Sequence, residues 1–120
     1  MTKTLMPWLI TVALLVGCSL NPQSHDIIDV TKAEKIVLKK QQNQDQDRIH
    51  SLSIIGVGEI DGNAKISLIL NDSVYKSQSL SGKVNFQWRG DWYSDEAEIR
   101  YEPQSVTGGT MILHYDFADL

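Results

Sequence analysis

Glu96-Ala97-Glu98-Ile99-Arg100-Tyr101-Glu102-Pro103 alternates between charged and apolar side chains, and that period of two decides the fold. Successive residues of an extended strand point to opposite sheet faces. Ala97, Ile99 and Tyr101 therefore share one face, and Glu96, Glu98, Arg100 and Glu102 share the other. Pro103 ends the strand because it has no backbone N–H to donate. Upstream, Val84, Phe86 and Trp88 alternate with Lys83, Asn85 and Gln87 as a half-buried strand. Downstream, beyond the Gly108-Gly109 turn, Met111, Leu113, Tyr115 and Phe117 form a closing apolar face against Ile112, His114 and Asp116.

The same period extends toward the N-terminus. Ser53 to Ile60 reads as one strand and Ala64 to Leu70 as the next, with Asp61-Gly62-Asn63 as the hairpin turn between them. Ile66, Leu68 and Leu70 share a face opposite Lys65 and Ser67; Ile69 breaks the alternation, which predicts cover on both faces. Asn71-Asp72-Ser73 turns the chain into a more polar strand, Val74 to Leu80, placed at a sheet edge, and Ser81-Gly82 turns it again. In Lys35-Ile36-Val37-Leu38-Lys39-Lys40 the helical face is weak, so a strand is favoured even though Thr31 and Glu34 imitate a helix capping box. Gln41 to Asp47 is a polar, low-complexity loop, and Gly56-Val57-Gly58 marks a bulge or a close backbone approach. Six to seven short strands with turn residues between them predict an all-β fold, a small antiparallel β-sandwich.

Ahead of this domain stands a different kind of segment. Lys3 supplies a positive charge, Leu5 to Val16 form an apolar run, and Leu15-Val16-Gly17-Cys18 holds the only cysteine. The run is too short for the roughly 20 apolar residues a membrane-spanning helix needs, so it reads as a signal peptide. Leu15 to Cys18 resembles the lipobox of bacterial lipoproteins. The resemblance implies cleavage before Cys18, a lipid on its sulfur and an acylated amine. The several acyl chains exceed the two signals that stable anchoring requires. Ser19 stands where an Asp would mark inner-membrane retention, which resembles the lipoproteins sorted to the outer membrane, on its periplasmic face. The expected organisation is a signal peptide over 1–17, a lipidated Cys18 with a flexible tether over 18–30, and the sandwich over 31–120.

Composition limits the function. The chain carries 15 acidic and 11 basic residues, and losing Lys3 makes the mature protein more acidic still. This argues against a nucleic-acid partner, which needs a basic stripe. With Cys18 lipidated, no disulfide forms within the chain, so packing alone must hold the domain.

The best candidate site is the loop Gly90 to Glu96. Trp92 and Tyr93 could stack on a sugar or fill a partner's pocket, and Asp91, Asp95 and Glu96 flank them. These carboxylates suit a hard cation in kind, but their spacing fits no recognised calcium loop, so no metal is expected. The competing reading has Trp92 capping the core while the acids face solvent. His114 and Asp116 share a strand face, but no nucleophile elbow accompanies them, and His25 and His50 lie outside any motif. Glu96, Glu98, Arg100 and Glu102 read as a solvated face with cross-strand ion pairing. No catalytic residue and no cofactor are expected. The functional expectation is a non-catalytic binding or accessory module of the envelope, held to the membrane through Cys18 and contacting an envelope protein or a glycan. The alternatives are a small hydrolase using carboxylates or His114, and an inhibitor acting through the Asp91–Glu96 loop.

Overall fold

A computed structural model describes residues 23–119. Cys18 and the expected signal peptide lie outside the described residues. Six strands follow in chain order: β1 (Gln23–Ile27), β2 (Glu34–Lys39), β3 (Ile49–Leu70), β4 (Ser73–Asp91), β5 (Glu96–Pro103) and β6 (Gly109–Asp119). A three-residue 3₁₀ turn at Gln46–Arg48 precedes β3. Every pairing is antiparallel. The chain is an all-β protein.

The long β3–β4 hairpin organises the molecule. On one edge β3 pairs with β4 along nearly its whole length. On the other edge, Ile49 to Ile60 pair with β6, and Ala64 to Ile69 pair with β5. β1 adds to β6, and β2 adds to β5. One curled sheet thereby supplies two layers. The first is β1, β6, the start of β3 and the end of β4; the second is β2, β5, the end of β3 and the start of β4.

This overturns two expected hairpin turns. The chain does not reverse at Asp61-Gly62-Asn63 or at Ser81-Gly82; both glycines sit inside continuous strands and bend them together. The β3–β4 register slips between Ile60 and Asn63, across from Gly82. Gly62 has φ +133°, and a Cβ there would lie 1.7 Å from the Ser105 carbonyl oxygen. Only glycine lets the segment after β5 approach that closely. That segment then bonds the bend: Gln104 N donates to Asn63 O (2.8 Å) and Thr107 N to Asp61 O (2.9 Å). Local glycine chemistry is the same for a bend and for a reversal, and the pairing partners decide between them. The expected turn at Asn71-Asp72 is present: both residues have positive φ (52° and 63°), as a two-residue type I′ hairpin requires.

Both layers bury their inner faces in one core. Ile36 and Leu38 of β2, Ile54 and Ile66 of β3, Ile99 and Tyr101 of β5, and Leu113 and Phe117 of β6 all lie in it. The Tyr101 hydroxyl donates to the Val30 carbonyl at 2.6 Å, tying the β1–β2 connection to the core. The Phe86 ring covers Gly56, where a Cβ would meet it at 2.2 Å, and a Cβ at Gly58 would lie 2.1 Å from Thr110 O. The close backbone approach expected here is therefore found at Gly58, whereas at Gly56 a side chain fills the space.

Other expectations are corrected. Residues 23 to 30 belong to the fold, not to a tether. Gln23 to Ile27 pair with Tyr115 to Met111, and Ile27 and Val30 are buried. The reason is non-local: β6 has an open edge there, which the local polarity of Asn21 to Ser24 does not reveal. Thr31 caps no helix; its amide and hydroxyl donate to Asp29 Oδ1 (3.0 and 2.6 Å) and close a turn. The loop after β2 is polar but not free, because Gln44 Nε2 donates to Phe117 O. Ile69 is buried as expected, and so is Ser67 across the face. Leu70, expected to point inward, is exposed, because a second register slip between Leu68 and Ile69 precedes it at the sheet's rim.

Candidate functional site

The Gly90–Glu96 stretch begins at the end of β4 and leads into β5. It does not form one converging site. Trp92 turns inward and is only 5% exposed. Its backbone N–H donates to His50 O and its indole Nε1 donates to Glu96 O, both at 3.0 Å. Its ring lies 6.4 Å from that of Tyr75. With Leu52, Ile54, Leu68 and Trp88 it lines a cleft between the two halves of β4. β4 pairs with β3 alone, so the sandwich is open along this side. The indole plugs that opening and, being buried, offers no contact face to a partner.

The other candidates diverge. Tyr93 is 66% exposed and meets the His50 ring edge-on at 5.8 Å. Asp91 is exposed, in register with Ser51. The Asp95 carbonyl accepts from Lys40 N at 3.0 Å. Glu96 pairs with Lys39 across the strands at 3.9 Å, and its amide donates to Ser94 Oγ at 3.2 Å. Among the described residues, no three His, Cys, Asp or Glu side chains come together as a metal site.

Several of the remaining polar groups have structural partners. Arg100 Nε donates to Glu98 Oε2 at 2.7 Å within β5 itself, so on that face the expected cross-strand pairing is made by Lys39 and Glu96 and not by Arg100. His25 lies 3.3 Å from Glu34, linking β1 to β2 across the open side of the core. His50 Nδ1 is 2.7 Å from Arg48 O. His114 and Asp116 stand on the outer face of the first layer, in register with Ile55 and Ser53. Thr31, by its hydroxyl and then its amide, holds the Asp29 carboxyl below the usual carboxylate range. Burial raises the Tyr101 and Tyr115 hydroxyls above the usual phenol range, and the Asp29 charge adds to the shift at Tyr101.

Two further surfaces stand out, the first at the edge position that the polar strand Val74 to Leu80 predicted and the second unforeseen from the sequence. One is the open edge of β4, where Ser77, Gln78 and Ser79 are exposed. The other is a rim of exposed apolar side chains around the β3–β4 hairpin tip: Leu70, Val74 and Tyr75, with Val37 and Tyr93 nearby. The one local signal for the rim is Val74-Tyr75 in an otherwise polar strand. No family of known proteins and no curated protein matches this sequence.

Proposed function

We propose that this chain is an outer-membrane lipoprotein facing the periplasm, and that its β-sandwich is a non-catalytic binding or accessory module for an envelope protein or a glycan. The observation that carries the reading is Leu15-Val16-Gly17-Cys18, with only four residues between Cys18 and Gln23, which is already in β1. A cleavable apolar segment, one acylated cysteine and a folded β domain directly behind it make a surface-tethered module. The open β4 edge adds a means of binding. An extended partner segment can complete its main-chain hydrogen bonds, and the polar side chains of Ser77 to Ser79 keep the edge soluble until then.

Cross-linking in living cells tests this. Trp92 is buried, so the photoreactive residue belongs at Ser79, with Cys18→Ser as the unanchored control. One dominant cross-linked species, lost in the control, is the expected result. No species in either form, together with no retention on envelope glycans, would overturn the binding role. Labelled palmitate that fails to appear on Cys18 would overturn the anchor.

A further inference from the structure

We propose that the hairpin-tip end of the sandwich rests on the lipid bilayer, with Leu70, Val74, Tyr75 and Tyr93 at the headgroups; this rests on the lipoprotein reading. Two independent observations converge on it.

The first is the length of the leash. From Cys18 to Gln23 the chain can span about 17 Å when fully extended, at about 3.3–3.6 Å per residue. Gln23 does not sit at the end of the domain. It stands opposite Tyr115, and β6 runs on from there to Asp119 at the rim. Those four further residues cover about 14 Å at about 3.4 Å each. A taut leash therefore clears the rim by only a few ångströms, less than the headgroup layer of roughly 5–8 Å on each side of the hydrocarbon. The domain cannot stand off from the membrane.

The second observation says which surface meets the lipid. Six large apolar side chains are exposed among the described residues. Five of them, Val37, Leu70, Val74, Tyr75 and Tyr93, belong to the hairpin-tip end; Ile28, in the β1–β2 turn at the opposite end, is the sixth. Tyrosines favour the membrane interface because the ring is apolar and the hydroxyl is wet. Lys76 stands 5.2 Å from the Tyr75 ring and brings a cation to the same place. The rim also carries Asp72, Asp91 and Asp95, so the contact suits zwitterionic headgroups and does not depend on anionic lipid.

The test uses the lipidated chain in phosphatidylethanolamine–phosphatidylglycerol vesicles that contain a headgroup spin label. Acylation consumes the Cys18 thiol, so Ser73→Cys or Ile28→Cys supplies the only site for a fluorophore. The expected result is several-fold stronger quenching at position 73 than at position 28. It should persist when a Gly/Ser segment is inserted after Asn21, and fall when Tyr75→Ser and Tyr93→Ser are added to that longer leash. Equal quenching at the two sites, or stronger quenching at 28, would overturn the proposal. So would quenching at 73 that disappears on lengthening the leash alone. Mass spectrometry of Cys18 before reconstitution separates the two failures: an unacylated, soluble chain defeats the lipoprotein reading itself, whereas an acylated chain with the wrong quenching pattern defeats only the docking.

Discussion

Trp92→Ala is expected to damage the fold more than any surface contact. A tryptophan buries roughly 150–250 Å², which at about 25 cal/mol per Å² gives about 4–6 kcal/mol as an upper bound. Measured truncations of buried Trp and Phe cost about 3–5 kcal/mol. The indole is 5% exposed, so most of that loss should be felt. It also removes the donor to Glu96 O. Total stabilities of such domains are about 5–15 kcal/mol, so the variant would be marginal. With a urea slope of about 1–3 kcal/mol per molar, the unfolding midpoint should fall by roughly 2 M. Trp88 remains as the fluorescent reporter, and the Cys18→Ser chain without residues 1–17 keeps lipid out of the measurement. Trp92→Phe keeps most of the packing but loses the hydrogen bond, and should cost about 1–2 kcal/mol. A loss below about 1 kcal/mol for Trp92→Ala, with normal unfolding and altered cross-linking, would refute the plug and restore Trp92 as a contact residue.

Four further outcomes follow from the same geometry. Gly62→Ala should fail to fold or lose several kcal/mol, because its Cβ meets Ser105 O, whereas Gly82→Ala, with open space but φ +65°, should cost only about 1 kcal/mol by thermal melting. Asp72→Gly should stabilise the domain by about 0.5 kcal/mol, since φ is 63° in the two-residue turn; no rise in the urea midpoint would contradict the turn assignment. Ser67→Ala should be neutral or stabilising by up to about 1 kcal/mol, because the buried Ser67 Oγ has no hydrogen-bond partner; a clear loss in calorimetry would show that it has one. Tyr101 and Tyr115 have raised pKa values, so their contribution is complete below the ordinary phenol pKa of about 10 and is lost as pH rises through their folded values. Stability measured against pH should therefore fall on the alkaline side, and less steeply in Tyr101→Phe, whose baseline is lower by about 1–3 kcal/mol for the orphaned Val30 carbonyl.

The chain's local pattern determined which side chains face inward. Val84, Phe86 and Trp88, then Ala97, Ile99 and Tyr101, then Met111, Leu113 and Phe117, all enter the core as their alternation requires. It determined the Asn71-Asp72 turn and the edge placement of Val74 to Leu80. It also carries the whole case for the anchor at Cys18. These are statements about neighbours in sequence, and a period of two is a local property. Tertiary structure alone decided the rest. Gly62 and Gly82 bend one long hairpin instead of ending strands, because Ser105 and its neighbours close against the bend. Gln23 to Ile27 join the sheet because β6 leaves an edge for them. Trp92 turns inward because β4 closes no barrel and leaves a gap to fill. Each of these depends on a partner tens of residues away, and no local periodicity records which edge or gap the rest of the chain leaves open.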